Sequence, residues 1–276
     1  MDAVRVKRLI VNADDFGCSP AVNQAVIRAH REGILTTASL LVNGAAAEEA
    51  VALARAHPQL GVGLHLTLLG GRSTLKPTDI PRLVDERYRF SQRPVWTGLR
   101  YFFLPGLRSQ LRHEISAQFA KFRLTGLRLD HVNGHLNIHL HPTVFSLLGH
   151  HAREWGFVSF RLTRDPFWLN ARLAGGRWLY RLSHAVIFTL LSRLARPVLN
   201  ELHIHYTDRV FGLLQTGRVD ERYLERLLPR LPDGDSELYA HPSLDDTRAE
   251  LEALTSPRMK ALVGQHGIQL IRYQDL

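Results

Sequence analysis

The stretch Leu9-Ile10-Val11-Asn12-Ala13-Asp14-Asp15-Phe16-Gly17 constrains the fold of this chain more than any other. An apolar run ends abruptly in two adjacent carboxylates, then a glycine and a helix start at Ser19-Pro20. Such a run is expected of a strand buried on both faces, as in a parallel sheet. The switch to acids marks its C-terminal end, where α/β barrels and open sheets gather their polar groups.

The next residues keep the same rhythm. Strands are predicted over 5–13, 36–42 and 61–66, and helices over 20–32 and 45–57. Val22, Ala25, Val26 and Ala29 share one face of the first helix, and Gly33 ends it. Repeated βα units with short connections imply a parallel sheet, open or closed into a barrel. Residues 69–105 break the pattern with Pro, Gly and Arg, and are expected to form part of a pocket. A helix over 108–122, a histidine-rich strand, a helix over 143–155 and a short strand over 158–162 resume it. A second interruption, 165–197, holds a basic amphipathic helix from Arg177 through Leu191. It is expected to pack on the barrel with solvated arginines; the rival is a helix resting on a membrane or lining an apolar groove. The tail adds a helix over 221–228, a strand over 237–240, a helix over 257–267 and a strand over 269–273. With no internal repeat and no low-complexity linker, residues 1–276 are expected to form a single domain with two insertions.

Composition narrows the chemistry. At 45% hydrophobic and 22% charged residues, the chain is ordinary for a globular protein. Its single cysteine, Cys18, excludes an internal disulfide and a thiolate cluster, so a metal site must use His and carboxylates. Cys18 itself is expected as a small buried thiol. The start shows no apolar leader core, and 185–191 is the longest apolar run against the ~20 residues of a membrane span. A cytoplasmic, soluble protein is the expectation. The net charge of +9 comes from arginine, since only four of the 35 basic residues are lysines. No nucleic-acid module accompanies it, so no nucleic-acid partner is expected; attraction to an anionic membrane or substrate suits the charge better.

In Gly61-Val62-Gly63-Leu64-His65-Leu66-Thr67, alternation puts His65 on the glycine face, with room around its ring. The segment from Asp130 to Pro142 is too rich in histidine for ordinary core. If extended, His131 and His135 are about 13 Å apart, at ~3.3 Å per residue, and cannot share an ion. His135, nearer the strand end, is the better ligand; His131 and Asn133 suit the interior or the support of ligands. His139 would contact substrate or support the site, and His141 would be a loop residue. Composition does not tell Asp14 from Asp15. One carboxylate and two imidazoles with open positions outline a hydrolytic site for one divalent metal ion, leaving the second carboxylate free for proton transfer.

Taken together, Asn12-Ala13-Asp14-Asp15-Phe16-Gly17, Gly63-Leu64-His65, His131-Val132-Asn133-Gly134-His135 with His139, and Ala240-His241-Pro242 resemble the YdjC-type carbohydrate deacetylases, in matching order from end to end. Asp130-His131-Val132-Asn133, Phe102-Phe103-Leu104-Pro105 and Asp208-Arg209-Val210-Phe211-Gly212 look more narrowly like the hopanoid biosynthesis-associated branch. The resemblance implies an irregular TIM-like (β/α) barrel that removes the acetyl group of an N-acetylglucosaminyl sugar. It implies Asp15, His65 and His135 as metal ligands, Asp14 as base and His241 as acid. Asn12, His131, Asn133, His139 and Arg161 would touch substrate or support the ligands. Asn133 stands where many relatives carry Asp. The implied cofactor is Mg2+ or Zn2+. The narrower branch implies a hopanoid glycolipid substrate, with peripheral contact at the inner membrane, and soluble chitooligosaccharides as the competitor. A homo-oligomer is left open. A metal-dependent phosphoesterase lacks a glycine-rich phosphate loop here, and a non-catalytic sugar-binding barrel has no use for a spare carboxylate.

Overall fold

The computed structural model describes residues 6–276. The expected strand start at residue 5, and most of the expected leader-free start, lie outside that range. The central strand is β1 (Lys7–Phe16), buried through Leu9–Asp14 because sheet neighbours flank it and helices cover it. Pairing with it or beyond it are β2 (Thr37–Leu40), β3 (Gly61–Leu66), β4 (Leu129–Gly134), β5 (Arg209–Phe211) and β6 (Gly234–Ala240). Their order is β4-β3-β2-β1-β6-β5, and every pairing is parallel. The short β7 (Gln269–Leu270) joins the first half of β1.

The sheet curls until one segment reaches both of its edges. Residues 158–162, expected as a strand, make only isolated bridges: Val132 pairs with Phe160 and Ser159 with His205. The Arg161 amide donates to Val132 O at 3.0 Å, and two residues past that stretch Arg164 O accepts from the Val210 amide at 3.1 Å. The hydrogen bonds of 158–162 are thus divided between Val132 of β4 and His205, too few on either side for a strand. The result is an α/β fold with a parallel sheet curled as in a TIM-like barrel.

Helices follow the strands as expected of crossovers. α1 (Pro20–Glu32) starts where Ser19 Oγ accepts from the Val22 amide at 3.3 Å, with Pro20 in its first turn. It ends at Gly33, where any Cβ would collide with Leu254 O. Next come α2 (Ala47–Ala56), α3 (Pro94–Phe103), α4 (Arg108–Leu124) and α5 (Pro142–Trp155). Within the first excursion, antiparallel bridges Arg72–Arg89 and Val84–Phe90 precede α3. The second excursion is helical throughout: α6 (Phe167–Leu173) and α7 (Trp178–Glu201). α7 runs well beyond the expected end at Leu191, because Arg193 and Arg196 interrupt the apolar run without interrupting the helix. It is long and apolar enough to cross a membrane by length and composition, yet Ala185, Ser192, Ala195 and Leu199 are buried against the barrel. α8 (Glu221–Leu227), α9 (Arg248–Thr255) and α10 (Pro257–Gln265) complete the shell; α9 and β5 carry no strong periodic signal in sequence.

Two expectations change. Cys18 is exposed rather than buried, because the turn through Gly17 (φ 93°) points it outward. The glycines flanking His65 do not leave space for its ring. A Cβ on Gly63 would sit 2.5 Å from the His131 ring and 2.6 Å from His131 O, and one on Gly61 would meet Asp130 at 2.9 Å. They accommodate the neighbouring strand instead. Gly63→Ala should therefore lower stability by roughly 1–3 kcal/mol through overpacking. Thermal unfolding reads this directly, and an unchanged melting temperature would refute the close approach.

Candidate active site

The two acids at the end of β1 reach the site through a break in the strand. Asp15 has a left-handed backbone (φ 63°), and the β1–β2 register shifts between Ala13 and Phe16. Asp tolerates this conformation better than most residues. The bulge sends the two carboxylates to opposite sides of one imidazole. Asp14 Oδ1 lies 4.0 Å from His65 Nδ1, and Asp15 Oδ1 lies 3.3 Å from His65 Nε2.

His135 is the first residue past β4, where the chain turns through left-handed Leu136 and Asn137. Its Nδ1 is 3.1 Å from Asp15 Oδ1. One ligand atom each from Asp15, His65 and His135 fall within 4.8 Å of one another. Two ligands about 2.1 Å from a tetrahedral ion lie roughly 3.4 Å apart, close to the 3.1 and 3.3 Å separations from Asp15. The tautomer also fits. Asn133 Oδ1 accepts from His65 Nδ1 at 2.7 Å, while its Nδ2 donates to Asp14 and Ser39, which fixes the amide's orientation. His65 Nε2 is left with a lone pair facing Asp15, as a metal ligand requires. The donor set therefore suits a divalent ion.

Asp14 is built for a different task. Its Oδ1 accepts from Asn12 (2.8 Å), Ser39 (2.8 Å), Asn133 (3.1 Å) and Arg161 Nη2 (2.9 Å). Its Oδ2 accepts from Arg161 Nη1 at 2.7 Å and faces His241 Nε2 at 3.9 Å. Burial alone would raise this carboxyl, but the Arg161 guanidinium, with His65 and His241, holds it well below the ordinary range. Burial likewise opposes ionisation of Asp15, and the facing His135 and His65 reverse that and hold it below its usual value. Burial depresses His65, but Asp14 and Asp15 outweigh it and raise the imidazole above its usual value. Both carboxylates are ionised.

Arg161 is itself fully buried and shared. Its Nε and Nη2 donate to Glu237 Oε1 at 2.8 and 2.6 Å, its guanidinium lies 4.3 Å from the Tyr239 ring, and Tyr273 donates its hydroxyl to the other Glu237 oxygen. His139, offered as a substrate contact or a support, is a support: its Nε2 donates to Arg161 O at 2.9 Å, with Phe160 against its ring. His131 stands further back. Its Nδ1 meets Asp130 at 2.9 Å and its ring stacks on Tyr273 at 4.5 Å, so it reaches Asp14 only through Tyr273, Glu237 and Arg161. His141 lies at the start of α5 with its Nε2 donating to Gly98 O.

Ser39, Glu237, Tyr273 and Glu250 were not anticipated. Glu250 accepts from the His241 amide at 2.6 Å and lies 4.0 Å from its Nδ1. A hydroxyl at alternate positions of β2, and an acid just before the apolar end of β6, were the available signals. The site opens into a cleft of about 520 Å³, with Val95 and Gly98 of α3 on one wall and His184, Ile187, Phe188 and Leu191 of α7 on another. Both excursions therefore reach the site: 69–105 as expected, and α7 by lining an apolar groove, the rival reading, while another of its faces packs on the barrel as expected.

His139 makes a measurable prediction. Burial, then the Arg161 charge, push its imidazole down to about 3, against ~6.5 in an unfolded chain. The native state excludes a proton that the unfolded chain binds, so stability should fall as pH drops from ~6.5 toward ~3. His139→Gln should keep a donor to Arg161 O and flatten that decline by up to ~1.4 kcal/mol per pH unit. Urea unfolding across the pH series compares the two; parallel curves would show that His139 titrates normally.

Known proteins align with this chain along most of its length. A family model described as YdjC-like protein matches residues 8–265. A carbohydrate deacetylase of Geobacillus stearothermophilus is 31% identical, over 96% of both chains. A chitooligosaccharide deacetylase of Serratia marcescens is 30% identical over 98% of this chain and 99% of its own. Among solved structures, a candidate cellobiose-phosphate cleavage protein from Enterococcus faecalis superposes with a TM-score of 0.75 at 25% identity, covering 98% of each chain. By sequence, the chain belongs to the YdjC-like family.

Proposed function

We propose that this chain is a carbohydrate deacetylase that hydrolyses the amide of an N-acetylglucosaminyl sugar in one step. The observation that carries this is the placement of Asp14 and Asp15 on either side of His65. One carboxylate belongs to a donor set fit for a divalent ion; the other keeps room for a proton on Oδ2, which accepts only from Arg161. Asp15, His65 and His135 would hold the ion, Mg2+ or Zn2+, which when bound supplies Lewis acidity toward the acetyl oxygen and the attacking water.

The rest of the chemistry belongs to side chains. Asp14 takes the water's proton at Oδ2, because Oδ1 is already occupied by four donors. Arg161 keeps that carboxylate ionised and prevents its rotation, while Asn12, Ser39 and Asn133 set its plane. His241 Nε2, 3.9 Å from the same oxygen, gives a proton to nitrogen as the carbon–nitrogen bond breaks. One water is consumed, and acetate and the free amine leave. Glu250 anchors the His241 backbone, and His139 holds the backbone of Arg161.

For the substrate we propose an N-acetylglucosaminyl hopanoid glycolipid, deacetylated in the cytoplasm at the inner membrane by a single barrel whose two excursions, 69–105 and 165–197, are insertions. The apolar cleft walls from α3 and α7 support it, since a soluble sugar has little use for Val95, Ile187, Phe188 and Leu191. The names of the relatives favour soluble chitooligosaccharides as the second possibility.

Asp14→Asn should cut turnover about 10²–10⁴-fold while leaving cation binding intact. Acetate release and calorimetric titration with Zn2+ or Mg2+ test both halves, and full activity in the variant would remove Asp14 as base. Chelation should abolish acetate release from every sugar, and Asn133→Ala should weaken cation affinity roughly 10–100-fold by freeing the His65 ring. Activity that persists in chelator would refute the metal reading. Parallel assays on the glycolipid and on chitooligosaccharides decide the substrate.

A further inference from the structure

The charge of this chain is not spread over it. Residues 87–113, which contain α3, carry six arginines and no acid; residues 166–200, which contain α6 and nearly all of α7, carry five and no acid. These eleven charges exceed the chain's whole net charge of +9, so the remainder is slightly negative. General arginine richness would not concentrate charge this way. Both segments wall the cleft.

The same segments hold the largest exposed apolar side chains. Leu179 is 88% exposed, Trp168 78% and Val95 77%, and only Leu124 of α4 is comparably exposed elsewhere among the described residues. On α7, Leu179, Leu182, Val186, Leu190, Leu194 and Val198 are all exposed and recur at steps of three and four, which places them on one stripe. That stripe is distinct from the face buried on the barrel, anchored where Ser192 Oγ donates to Thr163 O at 2.8 Å, and from the face lining the cleft. On α3, Trp96, Leu99, Phe102 and Phe103 are exposed. Three of the four tryptophans, Trp96, Trp168 and Trp178, lie exposed on these elements, while Trp155 is buried.

We infer that this rim of α3, α6 and α7 docks on an anionic phospholipid bilayer, with the cleft opening toward the lipid surface. Exposed tryptophan beside aliphatic side chains suits the headgroup boundary, where the ring is half apolar and half wet. The arginines of these segments, apart from the buried Arg181, complement an anionic surface, each worth roughly 1 kcal/mol there. A second copy of the chain is the poorer occupant. A two-fold interface would set one arginine-only rim against another, with no acid in either segment to pair them. The inference deepens the lipid-linked substrate reading: a sugar on a lipid would enter the cleft without leaving the membrane.

The test uses the full chain and vesicles alone. The protein should co-sediment with mixed phosphatidylcholine and phosphatidylglycerol vesicles, at least about tenfold more tightly than with phosphatidylcholine alone, and added salt should weaken it. Two independent variants, Leu179→Ser with Val186→Ser and Arg172→Glu with Arg193→Glu, should each lose about tenfold in vesicle affinity. Hydrolysis of soluble sugars should be unchanged in both, which also reports that they are folded. Binding to neither vesicle, or equal binding to both, overturns the inference. So does a concentration-dependent dimer, seen by sedimentation velocity, that the same variants dissolve in place of any vesicle binding. Vesicle binding in a protein that releases acetate from no sugar supports the docking rim and overturns only the deacetylase reading.

Discussion

The buried guanidinium of Arg161 is the interaction on which the site's geometry depends. It pairs with Asp14 from β1 and Glu237 from β6, while its backbone bonds to Val132 of β4 and to His139. One residue thus ties both sides of the curled sheet to the centre of the site. A buried ion pair of this kind adds little net stability, because both partners give up water; losing one partner costs about 3–5 kcal/mol. What the pairing provides is position. Asp14 is fixed by five hydrogen bonds from four side chains and stays ionised under burial that would otherwise neutralise it.

That fixed carboxylate matters because its neighbour is fixed differently. Adjacent residues of a regular strand point to opposite faces, and the sequence therefore allowed only that Asp14 and Asp15 diverge. The left-handed turn at Asp15 decides how they diverge. It keeps Asp14 inside, against Arg161, and brings Asp15 to the rim beside His135. No propensity distinguishes the two acids, so the resemblance supplied roles that residue-level reasoning left open. The expectation that His131 and His135 are too far apart to share an ion was purely geometric, and the stacking of His131 on Tyr273 agrees with it.

Legibility in the sequence tracked locality. α1 and β3 occupy the predicted residues because a cap, an apolar period and a terminating glycine lie within each unit. The segment over 158–162 misled, since its apolar alternation is satisfied by burial while its hydrogen bonds are split between two partners. Glu237, Ser39 and Tyr273 escaped for a related reason. Each sits on a different element, and only the parallel order of the sheet makes them neighbours. Their local signals were weak, a hydroxyl in a short buried strand and polar residues beside short apolar stretches, which mark a buried network without saying what it contacts.

Charge is segregated between the interior of the site and its edge. Asp14 and Glu237 share the single guanidinium of Arg161 inside, and Asp15 stands beside His65 and His135, which leaves an excess of negative charge suited to a cation. The cleft walls above carry arginines and no acids over two long segments. An anionic surface is drawn to the rim, but the carboxylates beneath repel it, so attraction stops at the edge. A neutral acetylated sugar feels neither force strongly and passes between them. On the docking proposed above, the two excursions would separate what the protein rests against from what it holds. The scaffold accommodates both because the interior charges are satisfied by hydrogen bonds within the sheet, whereas those of the rim, apart from the buried Arg181, face outward.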